Sequence, residues 1–492
     1  MISITNLTFA YEGSYDNIFE NVSFNIDTAW KLGFIGRNGR GKTTFLSLLM
    51  GKYEYSGVIS APAGFKYFPF TVTDKTLATN TVIRDICPAY QDWELTRELS
   101  LLEVKEDVLQ RPFETLSNGE QTKVLLAALF LDEDSYLLID EPTNHLDAGG
   151  RKTVSRYLMG KSGYILVSHD RAFLDGCVDH ILSINKANIE VQKGNFSSWH
   201  TNKQRQDSFE LAQNEKLKKN IKRLTAAAKR SENWSHKIEK TRFGSSDEPG
   251  SKPGDRGAIG AQSARMMKKS KNIIRRQKSA IEEKSKLLKN IEYSDSLKVT
   301  QLPYHKALCL ALSEVGIFYG SNMVCQNVTL DVERGDRIAL HGKNGSGKSS
   351  LLKLICGEKI SYTGDVKIGV GLQISYVSQD TSHLYGNLTD YAKVCDIDES
   401  LFKAILRKLD FSRVQFEKDM KDFSGGQKKK VLIARSLCEK SHLLVWDEPL
   451  NFVDVLSRIQ IEELLLLYKP TILFVEHDRV FCDKIATGEL VL

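Results

Sequence analysis

The sequence lacks a hydrophobic run long enough to cross a membrane. Its longest apolar stretches, such as residues 124–131 (VLLAALFL), fall far short of the ~18–20 residues that a transmembrane helix needs. The first residues, MISITNLTFAY, contain no basic region followed by an apolar core and so do not predict a signal peptide. We therefore expect a cytoplasmic protein without a membrane-spanning segment.

The eight cysteines are few and form no recognisable pattern. No CxxC pair and no His-rich stretch accompanies them, which argues against a zinc site and against a disulfide framework. Several lie in apolar stretches, as Cys356 does in LLKLIC. We interpret them as core thiols in a reducing compartment.

The chain has 492 residues, a length that fits two or three domains. Its net charge of +6 is distributed unevenly. Residues 201–300 contain 25 basic and 12 acidic residues, a balance of +13, so the rest of the chain carries −7. A basic segment between two mildly acidic domains suggests a polyanionic partner that contacts mainly the middle of the chain.

Four motifs occur twice, in the same order and at nearly constant spacing. The second copies lie 306, 307, 307 and 308 residues after the first, which indicates a tandem duplication. We predict one domain at 1–200 and a second at 304–492. Each contains β-rich runs separated by helical stretches, the pattern of an α/β fold with a mostly parallel sheet. The pairs are GRNGRGKTT and GKNGSGKSS, LSNGEQTKVLLA and FSGGQKKKVLIA, YLLIDEPTNHLD and LLVWDEPLNFVD, and ILVSHDRAF and LFVEHDRVF.

The first motif of each repeat matches G-x-x-x-x-G-K-[ST] between a strand-like and a helix-like stretch. Its glycines allow backbone N–H groups to surround phosphates at a helix N-terminus. Lys42 and Lys348 are predicted to reach the β- and γ-phosphates of ATP, and Thr43 and Ser349 to bind Mg²⁺. The predicted nucleotide-binding residues are Gly36, Arg37, Asn38, Gly39, Arg40, Gly41, Lys42, Thr43 and Thr44, and Gly342, Lys343, Asn344, Gly345, Ser346, Gly347, Lys348, Ser349 and Ser350.

The third motif places two acids after an apolar strand, in LLIDEP and LVWDEP. Adjacent carboxylates at a strand end need a reason beyond packing, because strand side chains alternate in direction. Asp140 and Asp447 suit the Mg²⁺ shell. Glu141 and Glu448 suit a catalytic base that polarises the attacking water.

Together these motifs resemble the ATP-binding cassettes of ABC proteins. LSNGEQ and FSGGQ resemble the ABC signature, in which the resemblance gives nucleotide-binding roles to Ser117, Asn118, Gly119, Ser424, Gly425 and Gly426. It also implies that His169 and His477 are catalytic switch histidines, that Tyr11 and Tyr319 stack on adenine, and that Gln379 is the Q-loop ligand of Mg²⁺. In this family the cassettes pair head to tail, so Lys42 would face Ser424, and Lys348 would face Ser117.

Two departures from the family pattern concern the first cassette. Phe70 stands where the Q-loop glutamine is expected, and Asn118 replaces the first glycine after the signature serine. A phenylalanine cannot supply an oxygen toward Mg²⁺, whereas asparagine tolerates a left-handed backbone better than most residues. We expect from these departures that the two ATP sites are unequal.

Residues 201–303 resemble neither repeat. Apolar residues recur at helix-pair spacing on both sides of a Gly-, Pro- and Ser-rich stretch at about 241–262, which predicts an α-helical hairpin with a basic tip and arms of ~50 Å. A solvated linker is the alternative, and Trp234 could either pack in the hairpin or stack on a base. The candidate RNA- and drug-site residues at the tip are Arg242, Phe243, Lys252, Arg256, Ile259, Lys268 and Lys269.

The whole arrangement resembles the ABC-F family, and GAIGAQSARMMKKSK in the insert resembles its Lsa group of antibiotic-resistance proteins. The resemblance implies a monomeric ATP hydrolase that uses ATP and Mg²⁺ and binds the E site of the bacterial 70S ribosome. There it would contact 23S rRNA near the peptidyl-transferase centre and the P-site tRNA, and displace lincosamides, streptogramin A compounds and pleuromutilins.

The serious alternative is a housekeeping ABC-F translation factor, and the ATPase subunit of an ABC transporter is a weaker one. Lys42 and Ser117 are 75 positions apart, and Lys348 and Ser424 are 76 apart, so neither cassette has room for a large added arm. Only 15 residues follow His477, too few for a C-terminal coiled coil. Both observations favour the resistance type.

Overall fold

The computed structural model contains two α/β cassettes and a long helix that follows the first of them. Among the residues that it describes, no helix is long and apolar enough to cross a membrane. The described residues are 1–12, 17–132, 134–144, 146–184, 189–242, 301–320, 322–343 and 345–492, with the positions 261, 264–266, 268–269, 271–273 and 275–276.

The first cassette is built on a six-stranded sheet with the order β5-β6-β7-β3-β8-β9, beside a three-stranded antiparallel sheet with the order β2-β1-β4. The inner strands of the larger sheet pair in parallel and are nearly continuous apolar runs, because both of their faces are covered. The strands are β1 Ile2–Phe9, β2 Phe19–Ile26, β3 Lys31–Gly36, β4 Ser56–Ser60, β5 Gly64–Phe68, β6 Ser135–Asp140, β7 Tyr164–Val167, β8 His180–Ile184 and β9 Ile189–Lys193.

The second cassette repeats this plan with a five-stranded parallel sheet, β14-β15-β16-β12-β17, and the antiparallel sheet β11-β10-β13. The prediction of two tandem α/β cassettes is therefore confirmed. The strands are β10 Leu308–Tyr319, β11 Asn322–Glu333, β12 Arg337–His341, β13 Ser361–Ile368, β14 Ile374–Val377, β15 Leu443–Asp447, β16 Ile472–Val475 and β17 Gly488–Val491.

Both cassettes contain helices between and after their strands. In the first cassette they are Lys42–Leu49, Thr79–Ile86, Asp92–Leu101, Asn118–Leu129, Ala148–Met159 and Arg171–Cys177, with 3₁₀ turns at Glu106–Gln110 and Phe113–Thr115. In the second they are Lys348–Ile355, Leu388–Val394, Glu399–Lys408, Arg413–Glu417, Gly425–Cys438, Val455–Tyr468 and Arg479–Ile485, with a 3₁₀ turn at Met420–Asp422.

Each cassette has an apolar cluster on either side of its large sheet. Val455, which begins a helix of the second cassette, is buried in a cluster of the first, and Leu456 and Ile459 pack against the same cluster. The two cassettes therefore share apolar packing as well as polar contacts.

The helix Phe196–Arg242 has 47 residues and is about 70 Å long at 1.5 Å per residue. It is longer than the predicted arm and begins within the range predicted for the first domain. Phe196 and Trp199 are buried in the core of the first cassette, so apolar residues of its first turn belong to that core. The described residues between positions 200 and 293 belong to a unit separate from the cassettes.

Candidate functional site

The first phosphate-binding loop joins β3 to the helix Lys42–Leu49. Gly41 has φ of 90° in the left-handed region, and a Cβ atom there would lie 2.5 Å from Ile18, so this position requires glycine. The buried Lys42 Nζ donates hydrogen bonds to the carbonyl oxygens of Gly36 and Arg37, at 2.7 and 3.3 Å. Its ammonium group is thereby held inside the loop that the sequence predicts to bind phosphates.

The second loop has the same geometry between β12 and the helix Lys348–Ile355. Gly347 has φ of 92°, and Lys348 Nζ donates to the carbonyl oxygens of Gly342 and Lys343 at 2.9 and 2.8 Å. Asn344, predicted to bind nucleotide, lies outside the described residues.

Each loop brings a hydroxyl group to the first acid after the neighbouring apolar strand. Thr43 Oγ1 lies 3.5 Å from Asp140 Oδ2, and Ser349 Oγ donates to Asp447 Oδ1 at 3.1 Å. Burial raises the pKa of both carboxyl groups. A hydroxyl beside a carboxylate is the all-oxygen ligand set that suits Mg²⁺, so both pairs fit the predicted metal.

The second acids, Glu141 and Glu448, share an unusual backbone. Their φ angles are 49° and 46°, a left-handed conformation that is strained for glutamate and typical of functional sites. His169 Nε2 lies 3.3 Å from Glu141 Oε1, and His477 Nε2 lies 3.5 Å from Glu448 Oε1. The structure therefore places each predicted base beside its predicted switch histidine.

The side chains of Glu141 and Glu448 are exposed to a similar extent, 18% and 15%. Their hydrogen-bond partners, however, differ. Gln379 Nε2 and Asn451 Nδ2 donate to Glu448 Oε2 at 2.8 and 2.5 Å. Glu141 Oε1 accepts no hydrogen bond among the described residues, and Phe70 at the matching Q-loop position packs against the apolar core. Gln379, predicted as a metal ligand, thus contacts the base of the second site.

This difference moves the two pKa values in opposite directions. Burial, reinforced by the charge of Asp140, raises the pKa of Glu141 to about 8. Burial would also raise the pKa of Glu448, but the hydrogen bonds and charge of His477 and Asn451 hold it below its ordinary value. The second carboxyl group is ionised at neutral pH, whereas most of the first is protonated.

The first loop contacts the second cassette next to its signature. Asn38 Nδ2 donates to the carbonyl oxygen of Phe452 at 2.6 Å, and the Asn38 backbone N–H donates to Asp454 at 3.4 Å. A Cβ atom on Gly426 would lie 2.2 Å from the Phe452 oxygen and 2.5 Å from Asn38 Nδ2. Lys42 and the second signature thus lie on opposite sides of one interface, as the head-to-tail arrangement requires.

An ion pair reinforces this contact. Arg40 Nη2 donates to both carboxylate oxygens of Asp410, at 3.1 and 2.8 Å, and Arg37 Nε lies 3.7 Å from the same group. Asp410 follows the helix Glu399–Lys408 in the second cassette. Both loop arginines, predicted to bind nucleotide, therefore also bind the opposite cassette.

The second loop has a different environment. Its described residues hydrogen-bond within their own cassette, and Lys343 is exposed where Arg37 is buried. Burial lowers the pKa of Lys348, and the charges of Glu448, Asp447 and, from the first cassette, Asp147 oppose this shift.

The predicted signature serines begin their helices. Ser117 and Ser424 each accept a hydrogen bond from the backbone N–H three residues later, forming a capping box in both helices. Asn118 is in the first turn of its helix and is absent from the residues with positive φ.

Asn118 therefore does not depend on a left-handed backbone. At Gly425, the matching position, a Cβ atom would meet Phe452 only at the ordinary contact distance of 3.6 Å. Asn118 thus matches Gly425, where a side chain has room, and not Gly426, where a Cβ atom would clash.

The two predicted adenine-stacking residues are similarly placed. Tyr11 is 42% exposed and Tyr319 is 51% exposed. The Tyr11 hydroxyl lies 2.8 Å from Thr44 Oγ1, and the Tyr319 hydroxyl donates to Ser350 Oγ at 3.3 Å. Each ring is thus fixed beside its own loop with much of its surface free to contact a base.

Three of the predicted tip residues, Arg242, Lys268 and Lys269, are among the described residues. Lys268 and Lys269 are helical and exposed, and Arg242 is the last residue of the long helix. Phe243, Lys252, Arg256 and Ile259 lie outside the described residues, as do most residues of the predicted second arm.

Sequence reasoning missed several residues that shape the sites. Tyr67 donates to Asp140 at 3.0 Å, and Asp410 and Asp454 bind the first loop from the other cassette. The replacement of Arg40 by Ser346 at the matching position of the second loop could have indicated that Arg40 has a partner of its own.

Comparison with known proteins agrees with this geometry. The family described as ABC transporter matches residues 19–144 and 325–451. The ribosome protection protein VmlR of Bacillus subtilis is 29% identical over 100% of this chain and 86% of that protein. The probable ATP-binding protein YbiT of Escherichia coli O157:H7 is 28% identical over 99% and 95%, and the ATP-binding protein Uup of Buchnera aphidicola is 27% identical over 99% and 79%.

A solved structure shares the fold. The archaeal ribosome recycling factor aABCE1, in complex with the stalk protein aP1, superposes with a TM-score of 0.62 at 17% identity over 96% of this chain and 85% of that one. The two matched segments cover both cassettes, and the relatives extend over the whole chain. The chain therefore belongs to the ABC transporter family, in the ABC-F group of ATPases with two cassettes.

Proposed function

We propose that this chain hydrolyses ATP at two sites, each formed by the phosphate-binding loop of one cassette and the signature of the other. The contact of Asn38 with Phe452, beside Gly426, is the observation that carries this proposal. One site combines Lys42 and Tyr11 with the signature at Ser424. The other combines Lys348 and Tyr319 with the signature at Ser117.

In each site the residues divide the work. The lysine in the loop neutralises phosphate charge, and the glutamate at the strand end accepts a proton from the attacking water. His169 and His477 hold the glutamates in position. Thr43 with Asp140, and Ser349 with Asp447, would hold Mg²⁺, which when bound neutralises charge on the phosphates.

We further propose that the ATP-bound chain binds the E site of the bacterial 70S ribosome and displaces lincosamides, streptogramin A compounds and pleuromutilins from the peptidyl-transferase centre. Full-length similarity to a ribosome protection protein supports this, as does the balance of +13 in residues 201–300. Basic side chains on a long helix suit the phosphate backbone of rRNA.

In this proposal residues 1–200 and 304–492 are the cassettes, and 201–303 form the hairpin with its tip at about 241–262. Arg242, Phe243, Lys252, Arg256, Ile259, Lys268 and Lys269 would contact rRNA or P-site tRNA near the drug. The protein would act in the cytoplasm as a monomer, with its two cassettes closing on each other.

The first test uses the doubly substituted Glu141→Gln/Glu448→Gln chain, which should bind ATP without hydrolysing it. We expect it to co-sediment with 70S ribosomes in ATP and to be released in ADP. Imaging of the complex should find the hairpin in the E site. Failure to bind ribosomes, or a hairpin located elsewhere, would refute the proposal.

The second test separates drug protection from a housekeeping role, for which the similarity to YbiT and Uup provides grounds. Residues 241–262 are replaced by a short Gly/Ser loop, and the chain is expressed in a drug-sensitive host. We expect unchanged ATP hydrolysis and lost resistance. If the unaltered chain binds ribosomes but leaves susceptibility to all three drug classes unchanged, the housekeeping function is correct.

A further inference from the structure

A buried arginine of the first cassette binds two acids of the second. Arg171 is 4% exposed, and its Nη2 donates to Glu462 Oε1 and to both carboxylate oxygens of Asp478, at 3.3 and 3.2 Å. Glu462 and Asp478 are 3% and 1% exposed. Burial of ions in an interface is costly unless they stay together, so separating the cassettes at this point requires water to enter.

The acids are held from their own cassette as well. Arg458 Nη1 donates to Asp478 Oδ2, and Lys484 Nζ donates to Glu462 Oε2, both at 3.2 Å. Arg458 also donates to the backbone carbonyl oxygens of Leu450 and Val453, which fixes its position. Arg171 therefore enters a cluster that the second cassette has already assembled.

The cluster has no mirror image across the interface. Arg479 occupies the position of Arg171 in the second repeat, 308 residues later, but it is exposed. Ser155 occupies the position of Glu462 in the first repeat, 307 residues earlier. Because the first cassette has serine in place of the glutamate, the reciprocal three-residue cluster cannot form.

The position of Arg171 connects the two catalytic centres. It lies two residues after His169, which contacts Glu141, and Asp478 directly follows His477, which contacts Glu448. From one glutamate to the other the route consists of two histidine contacts, two short backbone segments and the ion pair of Arg171 with Asp478. A displacement of either histidine segment therefore pulls on the other.

We propose that Arg171 is a positioning residue that couples the two ATP sites by holding the segment after His169 against the segment after His477. A guanidinium group suits this task, since it stays charged when buried, and its Nη2 donates to both carboxylates here. The state of the first site thereby sets the rate of the second. The inference rests on the proposed ATP hydrolysis at both sites.

The test measures hydrolysis at the second site with the first site filled or empty. Glu141→Gln keeps ATP bound at the first site, and Lys42→Ala prevents its binding there. The ratio of the two second-site rates is the coupling, and we expect it to differ from 1 by about five-fold or more, the usual range for coupled sites. A merely structural ion pair would change stability but not this ratio.

The ratio is then measured again in chains that also carry Arg171→Ala, Glu462→Ser or Arg479→Ala. Glu462→Ser copies the residue of the first repeat, and Arg479→Ala is the matched exposed control. We expect Arg171→Ala and Glu462→Ser each to bring the ratio to within about two-fold of 1, and Arg479→Ala to leave it unchanged. Melting temperatures identify any variant that fails to fold, and Glu462→Ser keeps one carboxylate beside Arg171.

Two results would overturn the inference: equal ratios in folded Arg171→Ala, Glu462→Ser and Arg479→Ala chains, or a ratio of 1 with Arg171 intact. If the unaltered chain hydrolyses no ATP, the proposed function itself fails, which is a distinct outcome.

Discussion

The two ATP sites contain the same lysine, hydroxyl, aspartate, glutamate and histidine, yet their surroundings differ. Glu448 accepts hydrogen bonds from Gln379 and Asn451, whereas burial dominates the environment of Glu141. The first loop is bound to the opposite cassette by Asn38 and Arg40. The catalytic motif thus defines the reaction, while residues outside it set how readily each site carries it out.

The comparison suggests a division of roles. The first site is in contact with the opposite cassette, and the raised pKa of its base favours slower hydrolysis and retention of ATP. The second site holds an ionised base, which favours turnover.

The largest effect is expected from removing one base at a time. Glu448→Gln should lower the single-turnover rate of the second site at pH 7 by about a hundred-fold or more, because the ionised base is lost. Glu141→Gln should lower the rate of the first site by only about ten-fold, because about a tenth of that base is ionised at pH 7. Rapid-quench measurement of ATP cleavage checks both, and indistinguishable rates would show that the sites are equal.

The next effect concerns the crowded glycine at the first site. Gly426→Ala should weaken ATP-dependent closure by about ten-fold, because its Cβ atom would strike the Phe452 carbonyl oxygen. Gly425→Ala is the matched control, with room for a Cβ atom. Binding of a fluorescent ATP analogue to the Glu141→Gln/Glu448→Gln chain provides the measurement, and equal losses would contradict the steric argument.

The pH profiles of the isolated sites should also differ. In the Glu448→Gln chain only the first site works, and its rate should rise about ten-fold from pH 7 to 9, since the base must lose a proton from a group with a pKa of about 8. In the Glu141→Gln chain the rate should stay level between pH 6 and 9. If the two pH profiles are parallel, the two glutamates do not differ in pKa.

The smallest effect is expected at the ion pair that closes the first site. Asp410→Asn should speed release of ATP from that site by about five-fold, as for loss of a partly exposed charge-assisted contact. Glu103→Gln is the matched control, because Glu103 pairs with Arg156 inside its own cassette. Stopped-flow release measures both variants, and equal rates would show that the Asp410 contact does not retain nucleotide.

The tandem α/β fold could be predicted because the repeat preserves the order and spacing of its motifs. The hydrogen bonds inside each loop could also be predicted, because the loop needs a left-handed backbone without a Cβ atom at Gly41 and Gly347, which only glycine provides. The environment of the glutamates could not be predicted, because it depends on Gln379 and Asn451 meeting in space. Likewise, no local pattern links Arg40 to Asp410, 370 residues away.

The burial of Arg171 also bears on what each half of the chain could pair with. A chain with two copies of the first cassette would set this arginine opposite Ser155 and leave a guanidinium with one acid fewer. A chain with two copies of the second would replace Arg40 by Ser346 opposite Asp410. After duplication the halves have become complementary rather than interchangeable, so neither is its own best partner.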